Sequence, residues 1–186
     1  MRIISGSLRG RRLTAVRGLA TRPTSDRTRE ALFNILGAAV RGRRVLDLFS
    51  GTGALALESL SRGAHSALLV DNARAALDTI RKNVAACGLG EVATVRQWDL
   101  RRGLRFLATQ EYQGHFDLVF MDPPYGQNLV GRTLEGLHEC GALSEGALVV
   151  AEHHADDVIT TAETVYQLDD RRRYGKTLVS FFNYML

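Results

Sequence analysis

The chain has 186 residues, 45% of them hydrophobic and 24% charged, which suits one globular domain and excludes wholesale disorder or collagen-like repeats. Apolar stretches such as residues 64–70 and 147–151 fall far short of the ~18–20 residues a membrane span needs, and no apolar stretch of signal-peptide length follows Arg2. The net charge of +4 is unevenly spread: residues 1–44 hold eleven arginines against two acids, a local +9, and residues 45–186 carry −5.

A basic arm on a mildly acidic body points to a polyanionic partner docking near the N-terminus. Arg2, Arg9, Arg11, Arg12, Arg22 and Arg27 are its candidate nucleic-acid contacts. A solvated charged face is the bland alternative. The arginines do not form one continuous run, so a low-complexity tail is disfavoured. Residues 1–20 predict a short extended hairpin, with Gly6 and Gly10 at the bend and residues 11–16 alternating basic and apolar. Pro23 breaks the preceding element and Ser25 or Asp26 can cap a helix. On that helix Leu32, Ile35, Leu36 and Ala39 recur as one apolar face.

From Arg44 onward strands and helices alternate. Strands are predicted at 45–49, 67–70, 92–95, 116–121 and 147–151, with two more at 164–168 and 177–183. Helices are predicted at 54–62, 73–84 with a stop at Gly88, 101–109 and 128–140, and a loop at 169–176 joins the last two strands. Near-continuous apolar strands alternating with helices imply an α/β fold whose mostly parallel sheet is covered on both faces. The final two strands imply an antiparallel C-terminal hairpin. One domain over 1–186 is expected, the basic extension at 1–20 preceding a core at 21–186.

Two motifs carry chemistry. The first is an apolar strand containing Asp47, followed by Ser50, Gly51, Thr52 and Gly53 and then a helix. Glycines between strand and helix let the backbone approach a ligand, and the helix N-terminus presents free N–H groups. The pattern also fits a dinucleotide fingerprint, with Asp71 twenty residues after Gly51. A tight turn used only for packing is the competing explanation. Asp47 separates the candidate ligands: a pyrophosphate beside it would be repelled, whereas the sulfonium and ammonium of S-adenosylmethionine would be attracted. Asp71, with Asn72 beside it, suits ribose hydroxyls. Asp99, with Leu100, suits an adenine amino group, although Asp99 could equally cap a helix.

The second motif is Asp122, Pro123, Pro124 and Tyr125, directly after a buried strand. The prolines forbid continued helix or sheet and donate nothing, so the loop is rigid and rich in acceptors. Acceptors beside an aromatic plate suit an exocyclic amino group on a stacked base. A plain proline turn with Tyr125 covering apolar surface is the alternative. Cys87 and Cys140 form no CxxC, neither follows the prolines, and packing is their expected role. The five histidines form no metal-ligand pattern, and no metal is expected.

These motifs resemble, nearly end to end, the RsmD family of bacterial 16S ribosomal RNA guanine-N2 methyltransferases within the class I S-adenosylmethionine-dependent superfamily. The opening Arg2-Ile3-Ile4-Ser5-Gly6 with Gly10-Arg11-Arg12-Leu13, the segment from Arg29 to Leu36, the cofactor loop from Asp47 to Gly53, the tetrapeptide at 122–125 and Tyr174-Gly175-Lys176-Thr177 all carry the likeness. Asp71 stands where relatives often have Glu. The resemblance implies a Rossmann-like, mostly parallel seven-stranded fold and S-adenosylmethionine as cofactor. It also implies methylation of one 16S guanine, of the guanine-966 type, on a partly or fully assembled small subunit. A cytoplasmic monomer is expected. A DNA amino-methylase would use the same tetrapeptide but needs a larger target-recognition region. An NAD oxidoreductase leaves residues 122–125 unexplained, and a non-catalytic RNA-binding module leaves unexplained the four aspartates, Asp47, Asp71, Asp99 and Asp122, at or near the ends of strands one to four.

Overall fold

In a computed structural model of the chain, residues 1–16, 26–157, 159–160 and 164–186 are described. The candidate contact Arg22, the helix start at Pro23 and Ser25, and the first residue of the strand expected at 164–168 frame the edges of that description: Arg22, Pro23 and Ser25 lie outside it. Contacts group the chain into two compact units, Met1–Trp98 and Asp99–Leu186.

The first unit holds helix α1 (Asp26–Leu36), strand β1 (Arg44–Leu48), helix α2 (Ala54–Ser61), strand β2 (Ser66–Asp71), helix α3 (Arg74–Cys87) and strand β3 (Ala93–Gln97). β1 pairs with β2 and β2 with β3, both parallel. Val45, Leu46, Leu48, Leu69 and Val70 are buried, as strands covered on both faces require. α3 buries Ala76, Leu77, Ile80, Val84 and Cys87 along one stripe and is capped at Gly88.

α1 differs from expectation. Its buried face is Arg29, Leu32, Phe33 and Leu36. Ile35 is 42% exposed, and Ala39 lies exposed in a short 3-10 helix, Gly37–Val40. The true stripe has the same helical spacing but begins on an arginine. Arg29 is buried because its guanidinium donates to the Arg2 carbonyl and to Asp26, and Phe33 lies under the Arg62 guanidinium, 4.8 Å from its ring.

The N-terminal hairpin exists in minimal form. One antiparallel bridge joins Arg2 and Arg12, flanked by Ile3 N–H to the Arg11 carbonyl (2.9 Å) and Leu13 N–H to the Met1 carbonyl (3.1 Å). Ile3 and Leu13 point into the core. Glu58 of α2, wholly buried, accepts from Ile4 N–H (2.7 Å), Ser5 N–H (3.0 Å) and Arg62 Nε (2.8 Å). Gly6 has φ +85°, and a Cβ there would lie 1.9 Å from the Ser61 carbonyl oxygen, so only glycine lets the arm close on α2. Asn83 of α3 accepts from Thr14 N–H (2.8 Å) and donates to the carbonyls of Thr14 (3.1 Å) and Thr52 (2.9 Å). Glu58→Ala strands two backbone donors and a guanidinium. It is expected to cost about 1–3 kcal/mol in denaturant unfolding and to expose the arm to limited proteolysis. Unchanged stability and protection would mean that the arm is held by other contacts.

The second unit holds strand β4 (Phe116–Met121), helix α4 (Leu129–Glu139) and strands β5 (Leu143–His154), β6 (Tyr166–Tyr174) and β7 (Thr177–Tyr184), in the order β4-β5-β7-β6. β4 and β5 are parallel; β7 pairs antiparallel with both β5 and β6. The helix expected at 101–109 is instead a series of 3-10 turns, Leu100–Arg102, Arg105–Leu107 and Gln110–Tyr112. Gly103, at φ 80° and ψ −171°, breaks the segment before an α-helix can form. The loop expected at 169–176 is also corrected. The ladder runs to the pair Tyr174–Thr177, leaving Gly175 and Lys176 as a two-residue turn. β6 is the edge strand of this unit, where Asp169, Asp170 and three arginines stay solvated while the backbone pairs on one side. β5 runs well past the expected 147–151 at both ends. No described helix is long and apolar enough to cross a membrane.

Candidate functional site

In the first unit, Phe49 takes φ +60°, a left-handed conformation uncommon outside glycine, and turns the chain from β1 into the loop at 50–53. Ser50 fastens that loop to β2. Its N–H donates to the Val70 carbonyl (3.0 Å), and its hydroxyl accepts from Val70 N–H (3.0 Å) and donates to the Asp47 carbonyl (2.5 Å). Gly53, at φ +76°, opens α2, and a Cβ on it would come 2.8 Å from Leu69 Cδ2. Asp71 holds the loop from the end of β2: one oxygen accepts from Gly51 N–H (2.9 Å) and the other from Ala73 N–H (2.9 Å).

Asp47 lies beneath the loop, buried, with Oδ2 accepting from Ala56 N–H (3.2 Å) in the first turn of α2. It therefore caps that helix from a neighbouring strand. Burial pushes its carboxyl up to about 7; the Ala56 N–H opposes the rise and the charge of Asp71 adds to it. Two carboxylates and a helix N-terminus around a glycine loop fit a ligand carrying hydroxyls and positive charge. A phosphate would meet both carboxylates.

In the second unit, residues 122–125 leave the end of β4. Met121 pairs with Ala151, so Asp122 and Glu152 are each one step beyond the ladder. Pro123 is buried and Pro124 exposed. The Tyr125 hydroxyl donates to Glu152 Oε1 (3.1 Å) and lies 3.1 Å from Thr177 Oγ1, while the residue as a whole is 46% exposed. Its ring centroid is 5.7 Å from that of His154, tilted by 52°. Burial of the hydroxyl pushes the phenol up to about 12, with the Thr177 bond opposing and the charges of Glu152 and Asp122 adding. Tyr125 thus stays protonated and offers a ring face, held by its far end.

The family model described as Conserved hypothetical protein 95, which covers the RsmD methyltransferases, matches residues 1–183. The chain belongs to this family. It is 39% identical to YlbH of Bacillus subtilis over 184 residues, covering 98% of each chain. It is 35% identical to ribosomal RNA small subunit methyltransferase D of Escherichia coli, covering 95% of this chain and 86% of that one. The solved structure of YhhF from Escherichia coli superposes with a TM-score of 0.86 at 34% identity, covering 100% and 98% of the two chains. The family is one of S-adenosylmethionine-dependent methyltransferases. Its fold is the expected Rossmann-like, mostly parallel seven-stranded class with an antiparallel C-terminal hairpin.

Of the residues singled out in the sequence, Asp47, Ser50, Gly51, Gly53 and Asp71 come together around the loop that opens α2. The Thr52 carbonyl is held by Asn83, and Asn72 is exposed beside Asp71. Asp99 takes the capping role. It accepts from Arg101 N–H (3.2 Å) and pairs with the Arg101 guanidinium through Nε and Nη2, both at 2.9 Å, which holds its carboxyl below the usual range. Leu100 is buried behind it. Arg2, Arg9, Arg11, Arg12 and Arg27 are exposed. Cys87 and Cys140 are buried free thiols pushed up by burial, consistent with packing. Sequence patterns did not single out Glu58, Asn83 or Glu152, and Thr177 stood out only within the Tyr174–Thr177 segment of the family likeness, with no role attached. Glu152, an acid directly after the apolar run 147–151, had a usable signal; Glu58 and Asn83 had none nearby.

Proposed function

We propose that this family member methylates the exocyclic N2 amine of a guanine in 16S ribosomal RNA, in a partly or fully assembled small subunit, as a cytoplasmic monomer. The relative from Escherichia coli is named for small-subunit RNA methylation, which supports the substrate class. One observation carries the amine: the tetrapeptide at 122–125 combines a carboxylate with an exposed aromatic ring whose hydroxyl is anchored.

Bound S-adenosylmethionine supplies an electrophilic methyl group on a sulfonium. In the first unit, Asp47, Ser50, Gly51, Thr52, Gly53, Asp71 and Asn72 would hold it; Asp99 and Leu100 remain candidate contacts for an adenine amino group on their chemistry alone. Guanine N2 is a weak nucleophile because its lone pair is delocalised into the ring. Asp122 and the Pro123 carbonyl accept its N–H bonds and favour a pyramidal nitrogen, Pro124 stiffens the loop, and Tyr125 stacks on the flipped base. Positioning and oriented acceptors carry the rate, and no covalent intermediate with the protein forms. The proton that the methylated nitrogen must lose passes to Asp122 or to water.

Tritiated methyl transfer from S-adenosylmethionine tests this function directly. Label is expected in 16S RNA or small subunits and not in DNA; label in DNA alone would contradict it. Asp71→Ala is expected to weaken cofactor binding about tenfold or more, since it removes a charged acceptor and loosens Gly51. Unchanged calorimetric affinity would take Asp71 out of the site. Replacing Arg9, Arg11 and Arg12 by Ala together is expected to weaken RNA binding and flatten its salt dependence while sparing cofactor affinity. An unchanged salt slope would mean that the arm is not a docking surface.

A further inference from the structure

β6 and β7 meet at the Gly175–Lys176 turn beside the acceptor loop. The register pairs Thr177 with His154 on one side and with Tyr174 on the other. Paired residues across neighbouring strands project to one face, so His154, Thr177 and Tyr174 form a row. The Tyr125 hydroxyl reaches Thr177 in that row at 3.1 Å. Residues 171–176 hold Arg171, Arg172, Arg173 and Lys176 with no acid, inside a region that is acidic overall. Arg172 pairs with Asp170 (2.8 Å), and Arg171 donates to Ser180 Oγ (3.1 Å). Arg173 bends over the turn, its Nε donating to the Gly175 carbonyl (3.0 Å), and Lys176, the other turn residue, is exposed. Cations on an edge strand also discourage edge-to-edge pairing. That role accounts for the charge, but not for an aromatic row joined to the acceptor loop.

We infer that the β6–β7 turn holds the single-stranded RNA next to the acceptor guanine, Tyr174 stacking on a flanking base and Arg173 and Lys176 contacting its phosphates. This rests on the function proposed above and adds a second RNA contact to the N-terminal arm.

The test is titration of unmethylated 16S RNA against Arg173→Ala/Lys176→Ala, Tyr174→Ala and Tyr174→Phe at several salt concentrations, with cofactor affinity and thermal unfolding measured alongside. The double variant is expected to lower the slope of log affinity against log salt by about 1.4, at ~0.7 per lost contact to single-stranded phosphate. Tyr174→Ala is expected to weaken binding about 5- to 150-fold, and Tyr174→Phe to restore it. Cofactor affinity should not change. Lys176 sits exposed at the turn, so the double variant reads out independently of any loss of fold in Tyr174→Ala. Wild-type RNA affinity and slope in the double variant, with self-association as its only change, would overturn the inference and leave edge protection as the role of these cations. If the wild-type chain methylates RNA and these variants match it, this inference alone fails; if the wild type binds no RNA, the proposed function fails with it.

Discussion

Asp122→Ala is expected to lose most single-turnover activity while still binding cofactor and RNA. Asp122 follows the last ladder pair of β4 and is half-buried, so its removal deletes an acceptor without opening the core. The acceptor is needed when N2 becomes pyramidal, and an interaction made mainly in the transition state lowers turnover more than binding. Loss of one oriented polar group of this kind typically costs about 10²–10³ in rate. Asp122→Asn keeps an acceptor without charge and is expected to fall between wild type and Ala. Tyr125 is proposed to act through its ring, so Tyr125→Ala is expected to lose about 5- to 150-fold. Its hydroxyl bonds to Glu152 and Thr177 hold the ring in place, and Tyr125→Phe, which loses them, is expected to fall by about 2- to 12-fold. A fully active Asp122→Ala, with RNA and cofactor both saturating, would sink the amino-orienting role.

Asp47 is expected to link stability and cofactor affinity to pH in opposite directions. Its carboxyl is pushed up to about 7 in the folded chain, above its ordinary value. The native state therefore binds this proton more tightly than the unfolded chain does. The stabilising contribution is fully present below the unfolded value and is lost as pH rises through about 7. A cationic ligand favours the ionised carboxylate, so S-adenosylmethionine affinity is expected to rise between pH 5.5 and 7, by up to about tenfold per unit. Asp47→Asn can still accept from Ala56 N–H. It is expected to be more stable than wild type at pH 8, and to bind the cofactor weakly with no rise over that pH range. Calorimetric titration and thermal unfolding at several pH values measure both effects. A flat wild-type binding profile, or wild-type affinity in Asp47→Asn, would remove the charge of Asp47 from ligand recognition.

What could be read from the sequence was what is local. Strands β1, β2 and β4 lie within a residue of expectation because burial on both faces leaves unbroken apolar runs. The glycine loop and the tetrapeptide were visible because their chemistry sits in consecutive residues. The failures trace to partners distant in the chain. Arg29 joins the buried stripe of α1 because the Arg2 carbonyl, 27 residues away, accepts its guanidinium. Tyr125 is anchored from 27 and 52 residues away, so nothing near it in sequence foretold a fixed ring. Residues 101–109 have apolar spacing that fits a helix, but Gly103 divides them into 3-10 turns. The charged run at 169–174 looks like a loop until its edge position is known, because an edge strand can leave such side chains in water.

Methylation of a guanine amine in small-subunit RNA is decided by the product nucleoside. Small subunits lacking the modification are incubated with the protein and S-adenosylmethionine. The 16S RNA is then digested to nucleosides, and the methylated one is identified by mass spectrometry against standards. N2-methylguanosine, at one position and absent with Asp122→Ala, is the result predicted here. Methyl groups found instead on a ring carbon, a ribose or an adenine amine would contradict the claim.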